Sequence, residues 1–355
     1  MKVLLLLFTI TVASAIKRFD GEQVLRIFPK DEHQLQELVK LEMTEARLDF
    51  WKRPGGLSRP VDVRVPKDLL THMKKLLGNT GIQYTIIRQL QNFAHEYPSL
   101  TTLFNIGSTY EGRDIKAIRV GAPGTNKVAV FLEGQIHSRE WIVSATLLYN
   151  IKFKVDDKQL FVFPQDRMWR KTRSSSSMGL CKGVDANRNW GDHFNEGGSS
   201  NYPCADTYHG PRAFSEVETQ SLSEWVKAKG QNIKAYLAVH SYSQLWMSPY
   251  GWTSEVPKDY DDLQILAKKA VSALAAVHGT KFDHGSIPGL LYIATGNSID
   301  WAYNEAGIKY SYAIELRDTG RCGFILPADQ IKPSAEEFYA ALQVVAEHIA
   351  KEFST

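Results

Sequence analysis

Three apolar segments of the chain are each followed directly by residues that commonly bind metals or transfer protons. Short runs rich in branched and aromatic residues are typical of buried strands. In open α/β sheets, the side chains that follow such strands gather at the carboxyl edge. The sequence therefore predicts that four side chains meet at one sheet edge. The segments are residues 127–132, leading to His137 and Glu140, residues 233–239, leading to His240, and residues 310–314, leading to Glu315.

These four side chains form a chemically complete set for one zinc ion. Zinc binds His nitrogen and carboxylate oxygen, and a catalytic zinc keeps three protein ligands and one open position. We predict that His137, Glu140 and His240 hold one Zn²⁺. Glu315, which is free of the metal, would then take up a proton and return it during hydrolysis. A single His after a strand is usually structural, whereas three strands ending in this way favour a metal centre.

The alternation of strands and helices predicts an α/β fold. We expect a mixed, mostly parallel twisted sheet flanked by helices, with a small N-terminal α+β domain. The 355 residues are enough for one large core or two unequal domains. Helical patterns occur at residues 141–149, 215–229, 261–278 and 334–353.

The first fifteen residues predict a secretory signal peptide. Lys2 precedes an apolar run at residues 3–12, and Ala13-Ser14-Ala15 is typical of a signal cleavage site. The run is too short to span a bilayer. No later segment is long and apolar enough to anchor the chain, so we expect a secreted, extracellular protein without a membrane partner. The alternative is that the run forms a buried N-terminal strand.

Residues 16–86 predict the separate small α+β domain. This part of the chain contains no cluster of catalytic residue types, so we expect the domain at residues 87–355 to carry the chemistry. The predicted elements are strands at residues 23–27, 61–65 and 83–86 and helices at residues 32–50 and 67–77.

Charge and motifs do not indicate nucleic acid or nucleotide partners. The formal net charge is only +3. The chain has no basic block, no RNP-like string of aromatic residues and no glycine-rich phosphate loop.

The cysteines leave two possibilities open. In an oxidising compartment, Cys181 and Cys204 could close a loop of 23 residues, and Cys322 would then be left over. Three free thiols would be expected instead if the chain were not secreted.

Several longer motifs resemble those of the secreted zinc carboxypeptidases of the A/B group. The resemblance covers nearly the whole chain, and residues 18–86 are similar to the propeptide of that family. It implies a zymogen that removes the C-terminal residue of peptides and folds around an eight-stranded mixed sheet. Its partners would be peptide or protein C-termini and an activating protease, and we expect a monomer. The motifs are EGQIHSREW, DRMWRKTRS, GVDANRNW, YHGPRAFSEVET, HSYSQ and IELRDTGRCGFILP.

The resemblance also implies roles for individual residues. The arginines suit these roles because a guanidinium is a planar fork that fits a carboxylate. The matched positions are the zinc ligands His137, Glu140 and His240, the general base and acid Glu315, the carbonyl-polarising Arg170, the carboxylate-binding Asn187, Arg188 and Tyr292, the outer subsite residues Arg139, Arg167, Tyr242 and Phe324, the zinc-histidine partner Asp185, and the disulfide pair Cys181 and Cys204.

The position that matches the floor of the specificity pocket is Ile299. A basic-specific relative would carry an acid there, so an apolar floor favours aromatic or branched aliphatic C-terminal residues. Ala313 matches a wall position where we expect threonine, and its small side chain favours a bulky aromatic substrate.

The chain departs from the family pattern in two stretches. It is shortened near residues 86–88, where an activation segment is expected, and near residues 141–166, where a core strand is expected. Cys322 also stands where the family has an aromatic residue beside the pocket. Loss of a central strand would leave backbone groups unpaired.

Two other functions are consistent with parts of the sequence. The missing activation segment favours a non-catalytic secreted protein that binds zinc or inhibits a partner. A zinc amidase acting on small acylated amino acids would share the three ligands, but it would not need Asn187, Arg188 and Tyr292 together.

Overall fold

The structure is a computed structural model. It describes residues 5–10, 23–57, 59–86, 97–121, 127–152, 167–175, 181–229 and 232–353, together with residues 94, 124 and 179. The chain separates into two compact units. One consists of Ile16–Glu96, and the other consists of Met1–Ala15 with Tyr97–Thr355.

The described residues form twelve strands and eight α-helices. The strands are β1 (Leu5–Ile10), β2 (Gln23–Phe28), β3 (Asp49–Lys52), β4 (Val61–Val65), β5 (Gln83–Ile86), β6 (Thr101–Ser108), β7 (Asp114–Val120), β8 (Ala129–Gly134), β9 (Ile233–Ser241), β10 (Leu245–Ser248), β11 (Asp283–Ser286) and β12 (Tyr310–Leu316). The helices are α1 (Glu32–Thr44), α2 (Lys67–Asn79), α3 (Trp141–Lys152), α4 (Val217–Lys229), α5 (Tyr260–His278), α6 (Ile287–Leu290), α7 (Ser298–Asn304) and α8 (Ile331–Phe353).

The smaller unit is an antiparallel four-stranded sheet in the order β3-β4-β2-β5, with helices α1 and α2. Helix α1 begins where the Asp31 side chain accepts a hydrogen bond of 2.8 Å from the backbone N–H of Gln34. Alternation along β4 buries Val61, Val63 and Val65 in an apolar core with residues of both helices. This unit confirms the predicted α+β fold.

The larger unit contains an eight-stranded mixed sheet in the order β11-β10-β12-β9-β8-β1-β7-β6. Strands β8, β9 and β12 run parallel and lie side by side at its centre. Their near-continuous apolar sequences suit strands that are covered on both faces. The predicted mixed, mostly parallel sheet is therefore confirmed.

Helices cover the central strands. Helix α8 packs against both α3 and α5. A second apolar cluster joins Phe131 of β8 and Tyr236 of β9 to Leu222 and Val226 of α4 and Trp301 of α7. These layers hold the carboxyl ends of the central strands in fixed positions.

Among the described helices, none is long and apolar enough to cross a membrane.

Strand β1 lies within the predicted signal peptide. Leu5–Ile10 pairs parallel with β8 on one side and antiparallel with β7 on the other. In the structure these six residues form a strand of the sheet, which is the alternative to a signal peptide. The signal peptide and its cleavage after Ala15 stay a prediction.

The predicted domain boundaries also stay predictions. The two units divide at Glu96, ten residues after the predicted boundary at Ile86. The sequence also predicts a strand at residues 160–163 and a helix at residues 88–97, but the first lies wholly and the second mostly outside the described residues. The same holds for residues 87–88 and 153–166 of the two shortened stretches.

Candidate metal centre

Three buried side chains converge at the carboxyl edge of the sheet. His137 and Glu140 lie in the turn between β8 and α3, and His240 lies near the end of β9. In the pairing of β9 with β12, Glu315 stands opposite His240. Because parallel neighbouring strands end at the same edge, the four predicted side chains come together there.

Two of the three distances between ligand atoms match those around one zinc ion, and the third, between His137 and Glu140, is a hydrogen-bond distance. His240 Nδ1 lies 3.3 Å from His137 Nδ1 and 3.2 Å from Glu140 Oε2, and His137 Nδ1 lies 2.6 Å from Glu140 Oε1. Ligands at about 2.0 Å from a tetrahedral metal are about 3.3 Å apart. These three residues are the set among the described residues whose donor atoms could hold a metal ion.

The electrostatics of the centre are those of a buried charge cluster. Burial opposes ionisation of Glu140, but the neighbouring His137 and His240 lower its pKa overall. Burial lowers the pKa of His240, but Glu140 outweighs this and raises it to about 9. A zinc ion must displace protons from such ligands, so its binding would depend on pH.

Glu315 lies beside the cluster and is not one of the three ligands. Its Oε2 atom is buried without a hydrogen-bond partner among the described residues. Burial and the charge of Glu140 raise the pKa of Glu315 to about 8, against the opposing charge of His240. An acid in such surroundings can exchange a proton near neutral pH.

Asp185 links the metal centre to Arg170. It is fully buried, and its Oδ1 lies 3.1 Å from His137 Nε2. Its Oδ2 accepts two hydrogen bonds from Arg170, of 3.0 and 2.8 Å. Burial alone would raise the pKa of Asp185, but Arg170 and His137 lower it well below its usual range. The carboxylate therefore orients a histidine ligand and a buried cation at once.

Asn187 and Arg188 lie in a 3-10 turn directly after Asp185. Asn187 Nδ2 is 3.4 Å from His240 Nε2, and Asn187 Oδ1 accepts a 3.0 Å hydrogen bond from the backbone of Ser298. The Arg188 guanidinium lies 6.0 Å from the ring of Tyr292, which is 56% exposed. The predicted carboxylate-binding residues thus border the metal centre, with the tyrosine open to solvent.

The four predicted outer subsite residues form a second group. The Arg139 guanidinium lies 4.4 Å from the centre of the Phe324 ring, and Tyr242 packs edge-on to the same ring at 4.9 Å. Arg167 donates to the backbone carbonyls of Arg139 and Phe324. Its guanidinium also lies 3.8 Å from the Trp141 ring. These contacts hold both arginines in place.

Ile299 and Ala313 are both buried, on α7 and β12. Two polar neighbours of Ile299 were not predicted from the sequence. Asn297 accepts hydrogen bonds from the backbone of Ile299 and Asp300. Asp300 accepts from the backbone of Gly251 and Trp252 and from Asn297 Nδ2. The sequence held a signal for the role of Asn297 alone, since Asn is among the residues preferred at a helix N-terminus.

A disulfide joins Cys181 to Cys204, with their Cα atoms 5.2 Å apart. This confirms the pairing that the resemblance implied. Cys322 is a free and exposed cysteine.

Comparison with known proteins identifies the family. The zinc carboxypeptidase family pattern matches residues 86–160 and 156–341, and the carboxypeptidase activation peptide pattern matches residues 25–89. The chain belongs to the zinc carboxypeptidase family. It is a metallocarboxypeptidase with A-type relatives, made as a zymogen with an activation peptide, which confirms the predicted family and enzyme class.

Individual relatives cover most of the chain. It is 39% identical to carboxypeptidase A1 of Sus scrofa in an alignment of 412 positions, gaps included, that covers 97% of this chain and 98% of the relative. It is 44% identical to carboxypeptidase B of Astacus astacus over 288 residues, which cover 75% and 95% of the two chains. The solved structure of bovine thrombin-activatable fibrinolysis inhibitor in complex with tick carboxypeptidase inhibitor is 33% identical, with a TM-score of 0.68 over 74% and 95% of the chains. These relatives do not favour the non-catalytic alternative.

The pairwise match also contains gaps. About 344 residues of this chain, or 97%, align over 412 positions with the Sus scrofa protein, so about 68 positions carry no residue of this chain. The family pattern matches in two separate segments that meet and overlap at residues 156–160, inside the stretch from 141 to 166. The shortening of that stretch remains an expectation.

Proposed function

We propose that this zymogen binds one Zn²⁺ through His137, Glu140 and His240, and that the secreted enzyme hydrolyses the C-terminal peptide bond of peptides. The observation that carries the proposal is the convergence of these three buried donors, two of whose three spacings suit a tetrahedral ion, beside the metal-free carboxyl of Glu315. Zinc at this position would supply Lewis acidity toward the scissile carbonyl and an activated water at neutral pH.

Glu315 would act as the general base and then the general acid. Its carboxyl stands on the strand next to His240, and its Oε2 has no hydrogen-bond partner among the described residues. It could therefore take a proton from the attacking water and deliver it to the leaving amine. Among the acids of the predicted site, Glu315 is the one with a buried carboxylate oxygen that has no hydrogen-bond partner among the described residues.

Arg170 would stabilise charge that develops on the scissile carbonyl oxygen. Its Nη1 atom lies 3.4 Å from His137 Nδ1, while its Nε and Nη2 atoms are held by Asp185. A cation fixed in this way does not need to reorganise during the reaction, which is the main source of electrostatic catalysis.

Asn187, Arg188 and Tyr292 would bind the free carboxylate of the substrate. Arg188 is buried and already donates to the carbonyls of Asn187 and Gly198, so its guanidinium is fixed in orientation. The exposed Tyr292 can close over a bound chain end. An enzyme that acts only on chain ends needs such a site, because the carboxylate is the one group that distinguishes a C-terminal residue from an internal one.

Arg139, Arg167, Tyr242 and Phe324 would contact residues of the substrate further from its C-terminus. Their mutual stacking limits side-chain motion, so less conformational entropy is lost when a peptide binds.

The pocket would prefer aromatic or branched aliphatic C-terminal residues. Overall identity does not decide this point, since both A-type and B-type relatives match well. The floor position Ile299 is apolar. The adjacent acid, Asp300, is fully buried and accepts hydrogen bonds from three donor groups, which leaves it little capacity to pair with a basic substrate.

The proposal is tested with the trypsin-activated protein. We expect one zinc per chain and release of Phe, Tyr or Leu from N-blocked dipeptides that have a free carboxylate. The matching amidated peptides should not be cleaved, which separates this activity from that of an amidase. Glu315→Gln should lose the activity and keep its zinc. Correctly folded protein without zinc would refute the proposal.

A further inference from the structure

A small, partly enclosed cavity lies beside the start of the metal-binding motif. It has a volume of about 20 Å³ and is lined by polar and apolar side chains from β8, α4 and the segment after Asn189. On the same measure, about 10–15 Å³ is enough to hold one water molecule. The cavity is separate from the metal centre, because neither His137, Glu140, His240 nor Glu315 lines it.

Three lining residues carry buried polar atoms without a hydrogen-bond partner among the described residues. They are Glu133 Oε1, Glu218 Oε2 and Trp190 Nε1. Glu133 is 1% exposed and Trp190 is fully buried. Each leaves one hydrogen-bonding position unused, which is unfavourable for a group removed from water.

The other oxygen of each carboxylate is already used. Glu133 Oε2 accepts a hydrogen bond of 2.7 Å from the Tyr236 hydroxyl. Glu218 Oε1 accepts a hydrogen bond of 2.9 Å from the backbone N–H of Tyr110. Both carboxyl groups are therefore fixed in position, and the second oxygen of each lacks a hydrogen bond of good geometry among the described residues. The Ser298 hydroxyl lies close enough to Glu133 to favour its ionised form, so any water beside Glu133 would share that carboxylate with Ser298.

The chemistry of the three atoms selects the ligand. The indole N–H of Trp190 can only donate, so it requires an acceptor. The free oxygens of Glu133 and Glu218 require donors when ionised. A metal cation cannot accept from the indole, and an anion would be repelled by the carboxylates. Water accepts and donates at once, and it suits Glu133 in either protonation state.

We propose that one ordered water molecule occupies this cavity and bridges Trp190, Glu133 and Glu218. The water would connect Glu133, near the end of β8, to Glu218 of helix α4. Glu133 stands directly before Gly134, where the metal-binding motif begins. The water would thus help to fix the position of the motif without contacting the metal ligands.

The test is a crystal structure of the purified zymogen at a resolution that places ordered waters. We expect one density peak within about 2.7–3.2 Å of all three atoms. An empty cavity would overturn the proposal. A peak with metal-like bond lengths or an anomalous signal would also overturn it, since that would identify a cation.

A solution experiment tests the same point with a matched pair of variants. Trp190→Phe removes the donor that lines the cavity. Trp246→Phe is the control, because Trp246 is also fully buried with an unpartnered Nε1 but does not line the cavity. We expect ¹⁷O magnetic relaxation dispersion to show one fewer long-lived water in Trp190→Phe and no change in Trp246→Phe. Equal water counts in wild type and Trp190→Phe would contradict the proposal.

Discussion

We predict that Asp185 supports both the metal centre and the stability of the fold. The substitution Asp185→Asn tests the contribution of its charge, since it leaves the shape of the side chain almost unchanged. The asparagine keeps the size of the side chain and removes its charge. In the wild-type structure the Asp185 side chain is 0% exposed, and the Arg170 side chain that pairs with it is 11% exposed. The substitution therefore leaves a buried guanidinium without its nearest carboxylate.

The magnitude follows from this burial. Removing one partner of a buried ion pair costs about 3–5 kcal/mol, because the remaining charge stays desolvated. The nearby Glu140 also attracts Arg170, so we expect a loss near the lower end, about 3 kcal/mol. Loss of the partner that orients a histidine ligand lowers metal affinity by about 10–100-fold.

Two assays measure the two effects. Urea unfolding in the presence of a chelator gives the free energy of unfolding without zinc, and competition with a chromophoric chelator gives the zinc affinity. The control is Asp206→Asn. Asp206 pairs with Arg139 at 3.1 Å, but its side chain is 65% exposed, so we expect a change of less than about 1 kcal/mol and unchanged zinc affinity. If Asp185→Asn behaves like this control in both assays, the assigned role of Asp185 is wrong.

Three further predictions concern the disulfide, the N-terminal strand and the pocket. Replacing both Cys181 and Cys204 with serine should lower the free energy of unfolding by about 3 kcal/mol, since the bond closes a loop of 23 residues, whereas Cys322→Ser should leave it unchanged; equal effects in a denaturant titration would contradict this. Deleting residues 1–15 distinguishes the two interpretations of the N-terminus: a loss of about 3 kcal/mol or more is expected if β1 belongs to the working sheet, because it pairs on both sides, whereas identical melting curves are expected if the segment is a signal peptide that the mature protein lacks. Ile299→Asp should move the preference in kcat/KM from C-terminal Phe toward Lys or Arg, and an unchanged preference would mean that this position does not form the pocket floor.

Much of the catalytic unit could be predicted because its signals are local. The apolar runs before His137 and after residue 233 have the composition of buried strands, and the structure contains β8 and β9 at these places. The helix predicted at residues 261–278 is observed as Tyr260–His278. The convergence of His137, Glu140 and His240 follows from one topological rule, that parallel strands end at the same edge.

Features that depend on contacts between distant segments could not be predicted in this way. The resemblance implied that Asp185 is the partner of a zinc histidine, but nothing in the residues around it indicated that its second oxygen would bind Arg170. The same holds for Asp300, whose partners at Gly251 and Trp252 lie almost fifty residues earlier in the chain.

The position of β1 shows the same limit. The apolar run near the N-terminus has the composition of a signal peptide and equally that of a buried strand, and local sequence cannot choose between them. Whether the run can be a strand depends on whether β7 and β8 are far enough apart to accept one between them. In the structure Leu5–Ile10 lies there and pairs with both.

The sequence by itself determined the strands, the four residues at their ends and the family that they indicate, because periodicity, composition and spacing are properties of neighbouring residues. Only the tertiary structure decided that Asp185 orients Arg170 and that the hydrogen-bonding capacity of Asp300 is taken by neighbouring donors. It also decided where buried polar atoms face a cavity. These depend on burial and on hydrogen bonds between segments up to 108 residues apart, and such pairings are fixed only when the whole core has packed.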